Sequence, residues 1–193
     1  RCIGEKELEM LKIGATVVLY NPITDEINTI QSYSNLVDYV VVIDNSDEDH
    51  KSAVYTAVKK AKNVIYYSEH KNLGLCKGLN IGVEMLAEYG CEWALLLDAD
   101  SKIKDGIIDV YRGVIDAYRN ADVALFCPVH TFDRSQKKPY TGCKEVEWSM
   151  TSGWLVNIRT FRCQGGFFEE LFVDCLDIDY CYRSRQNGHK VIE

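Results

Sequence analysis

The run "LLLDADSKI" (residues 95–103) ends three leucines in two carboxylates, Asp98 and Asp100, one residue apart. Side chains at i and i+2 of an extended strand point the same way, so an extended reading puts two negative charges side by side. A hard divalent cation relieves that repulsion. Mg²⁺ or Mn²⁺ takes oxygen ligands and is commonly held by one or two carboxylates plus substrate phosphates. The competing reading is a strand end followed by an Asx-type turn at Asp100 or Ser101. The run "VVVIDNS" (40–46) supplies another acid, Asp44. It suits acceptance of a nucleobase N–H in a partly dry crevice, or a plain Asp-Asn-Ser turn. "NLGLCKGLNIG" (72–82) joins glycines that allow close backbone approach to Asn72 and Asn80, whose amides suit ribose or phosphate. It is neither a G-x-G-x-x-G fingerprint nor a Walker loop, and packing of a helix start against a sheet competes as its explanation. "FVDCLDIDYCYR" (172–183) sets Asp174, Asp177 and Asp179 ahead of Arg183. Those acids either complement a helix dipole or include a general base for an attacking hydroxyl.

The elements that must position these residues alternate. "IGATVVLY" (13–20), "YVVVID" (39–44), "NVIYYS" (63–68), "EWALLLD" (92–98) and "DVALFCPV" (122–129) are apolar, β-rich runs. Between them "TDEINTIQSYSNLVDY", "DHKSAVYTAVKKAK", "CKGLNIGVEMLAEYG" and "DGIIDVYRGVIDAYRN" have helical apolar spacing, the third stopping at Gly90 and the fourth starting from Asp105 as N-cap. Near-continuous apolar strands alternating with helices predict an α/β fold, a mostly parallel sheet with helices on both faces. Ligands of such sheets bind outside the carboxyl ends of the strands. Asn21, the Asp44-Asn45-Ser46 turn, Glu69-His70, and the Asp98/Asp100 pair all fall at that rim. After Pro128 the rhythm breaks into a polar, turn-rich run. "SMTSGWLVNI" then reads as a strand, and the last segment as a Gly-Gly turn, an acidic aromatic stretch, a helix ending at Asn187-Gly188, and a strand.

Composition narrows the function classes. The chain has 193 residues, 47% hydrophobic and 26% charged, with a formal charge of −7, so one domain with a substantial core is expected. The acidic balance and the lack of a basic stripe argue against a nucleic-acid partner. No stretch is apolar and long enough to span a bilayer, and the N-terminus lacks the apolar core of a secretory signal, so a soluble chain is expected. Eight cysteines stand far apart without a C-x-x-C pair. Cys91, Cys127, Cys163 and Cys181 lie in or beside apolar patterns, which favours reduced, buried thiols in a cytoplasmic protein over a disulfide framework or a zinc site.

"LYNP", "VVVIDNS", "NLGLCKGLNIG", "LLLDADS", "TSGW" and "GGFFEELFVDCLDIDYCYRSRQNGHKV" occur in the order and approximate spacing of the inverting family 2 glycosyltransferases. The chain resembles their bacterial rhamnosyltransferase-like branch from Ile13 to Val191. The resemblance implies the nucleotide-sugar-binding type A glycosyltransferase fold. It also implies metal-dependent transfer, with Mg²⁺ or Mn²⁺, from a UDP- or dTDP-sugar to a saccharide or lipid-linked acceptor hydroxyl in cell-surface polysaccharide synthesis. Position by position, Asp44 matches the base-reading residue and the backbone of Leu19, Tyr20 and Asn21 the wall of the base pocket. Asn72, Gly74 and Asn80 match the loop and helix start beside the nucleotide. Asp98 and Asp100 match the D-x-D pair, with Asp100 the direct metal ligand. Gly153 and Trp154 match the acceptor side, and Asp177 the catalytic base. Leu176 departs from the glutamate usual before that base. Residues 1–12 are expected to be an N-terminal extension and 13–193 a catalytic domain truncated at its C-terminus. Relatives continue into acceptor-binding helices, which implies peripheral association with the inner face of the plasma membrane. The rival classes are a nucleotidyltransferase that makes sugar nucleotides, which should carry a Gly-rich, Arg/Lys-bearing loop where "LYNPITDE" stands, and a catalytically silent nucleotide-sugar-binding domain.

Overall fold

The computed structural model describes residues 11–130 and 141–193. Residues 1–10 of the expected extension, and the middle of the polar run after Pro128, lie outside them. Seven strands form one sheet: β1 (Ile13–Leu19), β2 (Tyr39–Asp44), β3 (Val64–Ser68), β4 (Trp93–Leu97), β5 (Val123–Phe126), β6 (Leu155–Asn157) and β7 (Lys190–Ile192). Their spatial order is β3-β2-β1-β4-β6-β5-β7. The pairs β1/β2, β2/β3, β1/β4 and β5/β7 are parallel, whereas β6 runs antiparallel to both β4 and β5. The mostly parallel α/β architecture expected from the strand runs is therefore present.

Among the described residues six α-helices cover the sheet: α1 (Thr24–Ser34), α2 (Lys51–Ala57), α3 (Leu75–Glu88), α4 (Ile107–Ala117), α5 (Ile158–Cys163) and α6 (Leu176–Gln186). Strand alternation divides the core between the two faces. Ile13, Ala15, Val17 and Leu19 of β1 pack with Leu95 and Leu97 of β4 and with Ile30, Val54 and Ile108 of α1, α2 and α4. On the other face Val41, Ile43, Ala94 and Leu96 pack with Leu79 and Val83 of α3, Phe161 of α5 and Tyr180 of α6. The glycines of α3 bring that helix onto β1. A Cβ at Gly82 would stand 2.0 Å from Thr16 Oγ1, and one at Gly78 would stand 3.0 Å from Val18.

Three local expectations change. The helix after "LLLDADS" is capped by Gly106, at φ 83°, with no side-chain cap, so Asp105 is not its N-cap. The strand in "SMTSGWLVNI" has only three residues, because Asn157 turns the chain into α5, its Oδ1 accepting from Thr160 N–H at 3.0 Å. Cys163 is exposed at the end of α5, whereas Cys91, Cys127 and Cys181 are buried. Burial pushes the Cys91 and Cys181 thiols up to about 12. Among the described residues no helix is long and apolar enough to cross a membrane.

Candidate active site

Parallel β1, β2 and β4 end together, with Leu19 beside Asp44 and Val17 beside Leu97 in the ladder. The first two ends are stitched to each other. Asn21, held at φ 46°, donates its N–H to Ser46 Oγ at 2.7 Å, and Asn45 N–H donates to the Leu19 carbonyl at 2.8 Å. Tyr20 and Asn21 remain exposed beside this seam, while Leu19 is core. Asn45, itself buried, donates its amide to the Gly74 carbonyl at 2.9 Å and so ties the seam to the start of α3. Asn72 closes its own turn by accepting from Gly74 N–H at 2.9 Å.

Asp44 sits beneath the seam with no side-chain exposure. Ser46 N–H donates to its Oδ1 at 3.0 Å, and His50 Nδ1 and the Tyr66 hydroxyl donate to its Oδ2. Burial works to raise its pKa, but the hydrogen bonds from Ser46, Tyr66 and His50 outweigh burial and hold the carboxyl below its usual value. Burial and the adjacent carboxylate push the Tyr66 hydroxyl well above the ordinary phenol value, so it stays a donor. Sequence reasoning missed His50 and Tyr66. A lone Tyr in an apolar strand is a weak signal, since a half-buried aromatic fits any sheet.

The D-x-D pair is not extended. Strand β4 stops at Leu97, and residues 98–101 form a turn in which Ser101 N–H donates to the Asp98 carbonyl and Asp98 N–H to Ser101 Oγ, both at 3.0 Å. The same-face argument for Asp98 and Asp100 therefore does not hold. Two neighbours pin the turn that carries them. Thr29 of α1 donates to the Ala99 carbonyl at 2.9 Å, and Ser152 Oγ lies 3.4 Å from Ser101 Oγ. Both carboxylates are exposed, and neither is bonded to another described residue. No described group of three or more His, Cys, Asp or Glu could hold a metal on its own. Two unengaged carboxylates on a fixed turn suit a hard cation that takes its remaining oxygens from phosphates and water.

Beside the turn lies a cavity of about 620 Å³ lined by Asp100, Ser101, Tyr111, Ser152 and Gly153. Gly153, at φ 80°, extends the β4 ladder, its N–H donating to the Leu96 carbonyl, and its own carbonyl accepts from Tyr111 at 2.6 Å. Trp154 is fully buried, its ring 6.0 Å from that of Tyr180. It supports the site from below and does not line it.

Asn80 differs most from the sequence reading. Its amide clasps Phe167, accepting from the Phe167 N–H at 2.8 Å and donating to the Phe167 carbonyl at 3.0 Å. The chain then makes a 3-10 turn over Glu169–Leu171, and Phe172 at φ 58° returns it to α3. The Phe172 carbonyl accepts from Cys76 N–H at 3.1 Å, and its ring lies where a Cβ on Gly74 would stand. Gly74 and Asn80 thus seat the segment leading into α6 against α3. Asp177 is in the first turn of α6, half-buried, accepting from Ile178 N–H at 2.8 Å. Asp179 instead accepts twice from Arg183, which also donates to the Gln164 and Gly166 carbonyls. Asp174 is exposed.

The mostly parallel sheet with helices on both faces, its strand ends carrying the seam over Asp44 and the Asp98–Ser101 turn, is that of the type A glycosyltransferase fold. The family model "Glycosyl transferase family 2" matches residues 20–177, and the chain belongs to that family. It is 26% identical over 196 residues to dTDP-rhamnosyl transferase RfbF of Shigella flexneri, covering 91% of this chain and 64% of that protein. Among solved structures, GalNAc-T7 with UDP, GalNAc and Mn²⁺ superposes with a TM-score of 0.74 at 13% identity over 96% of this chain and 43% of that one. S. aureus TarS 1–349 in complex with UDP gives 0.71 at 18% identity, over 94% and 57%. The chain thus spans less than two thirds of each of these proteins.

Proposed function

We propose that residues 13–193 are the catalytic domain of a metal-dependent, inverting glycosyltransferase. Its donor is a UDP- or dTDP-sugar, with dTDP-rhamnose favoured by the likeness to RfbF, and its acceptor is a hydroxyl of a saccharide or lipid-linked saccharide in cell-surface polysaccharide synthesis. The observation that supports this reading is the pinned Asp98–Ser101 turn after β4, whose two carboxylates are exposed and bonded to no other described residue. The base lies against Leu19, Tyr20 and Asn21 with its ring N–H towards Asp44. Asn72 and Gly74 border the nucleotide, and Asn80 acts through the segment it clasps. Asp98 and Asp100 hold the Mg²⁺ or Mn²⁺ that, when bound, offsets charge on the diphosphate leaving group. Two structural neighbours support this by the UDP in their complexes, one of which also holds Mn²⁺.

The chain's own residues then divide the work. Asp177 takes the proton from the acceptor hydroxyl as its oxygen attacks the anomeric carbon from the face opposite the diphosphate, and one displacement inverts the configuration. Gly153 lines the acceptor side, with Trp154 behind it. The Thr29 and Ser152 contacts keep the acidic turn fixed, so its carboxylates need no reorganisation on binding. The domain works at the cytoplasmic face of the membrane that carries its acceptor.

Calorimetry with UDP and dTDP tests this. Binding is expected with Mn²⁺, and to fall severely with excess chelator or in Asp100→Asn, while the mutant keeps its thermal transition. Equal affinities with chelator and with Mn²⁺ would sink the metal-dependent reading. Sugar transfer without nucleotide synthesis rules out the nucleotidyltransferase class, and any transfer rules out a silent binding domain.

A further inference from the structure

A base that is to be read by Asp44 meets a buried carboxylate whose Oδ2 is already crowded with donors. Oδ1 accepts from Ser46 N–H at 3.0 Å; Oδ2 accepts from His50 Nδ1 at 2.9 Å, from the Tyr66 hydroxyl at 2.5 Å and from His50 N–H at 3.3 Å. Each carboxylate oxygen offers about two lone-pair sites, so Oδ2 is oversubscribed, and the side chain has no exposed surface through which a base could reach either oxygen. A ring N–H can be accepted only if a present donor leaves.

Tyr66 is the donor that can leave without stranding a partner. The Ser46 and His50 N–H groups are backbone, fixed by the turn after β2 and the start of α2. The His50 N–H that donates to the Tyr66 oxygen at 3.0 Å also faces Asp44 Oδ2, so it keeps an acceptor. Tyr66 stands on β3, at the edge of the sheet, and borders a cavity of about 210 Å³ with Asp49, Ser68 and His70, whose polar groups can receive its hydroxyl.

We propose that the Tyr66 hydroxyl is a latch on the base site: in the ligand-free protein it occupies the Asp44 lone pair that reads the base, and the donor nucleotide enters by replacing it. This rests on the reading of Asp44 as base acceptor. The exchange is one hydrogen bond for another and moves no proton. It carries a selection rule. Uracil and thymine offer N3–H, and guanine N1–H, to an ionised carboxylate. Cytosine and adenine turn a ring-nitrogen lone pair to it and keep only an exocyclic amino group to donate, so in the same pose they meet repulsion where uracil, thymine and guanine meet a hydrogen bond. The latch also lowers the apparent affinity of every correct donor, because the open state is only a fraction of the population.

The test is calorimetric titration of wild type and Tyr66→Phe with UDP and with CDP, in Mg²⁺, with thermal unfolding as a check on the fold. The latch requires UDP to bind about tenfold more tightly to Tyr66→Phe, the scale of one hydrogen bond to a charged group, and CDP to stay weak in both. In the wild type, ¹³C-labelled tyrosine spectra should show one ring, identified by its loss in Tyr66→Phe, shifting on addition of UDP and not of CDP. Unchanged or weaker UDP binding to a folded Tyr66→Phe overturns the latch while leaving the base-acceptor reading in place. Equal wild-type affinity for UDP and CDP overturns that reading and the latch with it.

Discussion

At the scale of single residues, acids of one type in one short segment have been given different work by what surrounds them. Asp179 is consumed by Arg183, whereas Asp177, two residues earlier in the first turn of α6, has among the described residues only the neighbouring Ile178 N–H. Asp177→Asn keeps size and removes basicity, so transfer to the true acceptor should fall by roughly 100-fold or more with nucleotide affinity unchanged. Asp179→Asn should instead lose about 1 kcal/mol of stability in denaturant unfolding, with activity falling alongside. A wild-type transfer rate in Asp177→Asn would place the base elsewhere, with exposed Asp174 the next to test. In the Tyr66→Phe background, where no latch competes, Asp44→Ala should weaken UDP binding by about 1.5–3 kcal/mol, the range for a hydrogen bond to a charged group. An unchanged dissociation constant would reduce Asp44 to a turn residue. Its folded pKa lies below the usual carboxylate value. The stability it contributes is therefore present above that usual value and is lost as the pH falls through the lower, folded one. Acid unfolding of Asp44→Asn should lack that component.

At the scale of elements, α3 shows how helix packing and site assembly share one set of residues. Its glycines set its distance from β1, and its Asn80 amide and Cys76 N–H hold the segment that delivers α6. Helix propensity alone would make any Gly→Ala substitution stabilising by up to about 1 kcal/mol. At Gly113 of α4, where a Cβ meets nothing within 4 Å, that gain is expected. At Gly82 the Cβ would fall 2.9 Å from Thr16 Cβ as well as onto its hydroxyl, and overpacking should outweigh propensity, with a net loss of about 1–3 kcal/mol. Urea unfolding of the two variants checks the opposite signs, and a stabilised Gly82→Ala would mean that α3 can move off the sheet.

At the scale of the whole molecule, the proposed nucleotide site draws on β1, β2, β4 and α3, and the proposed base on α6, which packs on the same face of the sheet as α3. A ligand bound there should stabilise the domain as a unit. UDP with Mg²⁺ at about 100 times its dissociation constant should add about 2.7 kcal/mol to unfolding. In Asp100→Asn, the part of that gain which depends on metal should vanish. A thermal shift of the same size with and without metal in both proteins would contradict the assignment of the turn.

The alternation of apolar strands and helical runs determined the parallel sheet by itself, because burial on both faces leaves near-continuous hydrophobic strands that few other structures tolerate. The strand-end placement of Asp44 and Asp98 was legible for the same reason: a carboxylate closing a buried strand falls at the carboxyl edge of the sheet whatever the side chains around it do. What the sequence could not decide was direction and engagement. The antiparallel course of β6 depends on which gap in the sheet a three-residue strand fills. The D-x-D pair is exposed in a turn because Ser101 and Thr29, the latter 70 residues distant, hold it there. Asn80 points to Phe167, 87 residues away, and not into the crevice. Whether Asp44 is open or latched depends on Tyr66, 22 residues on. Such contacts are fixed by packing between elements, and local periodicity carries no information about which distant group a polar side chain will meet.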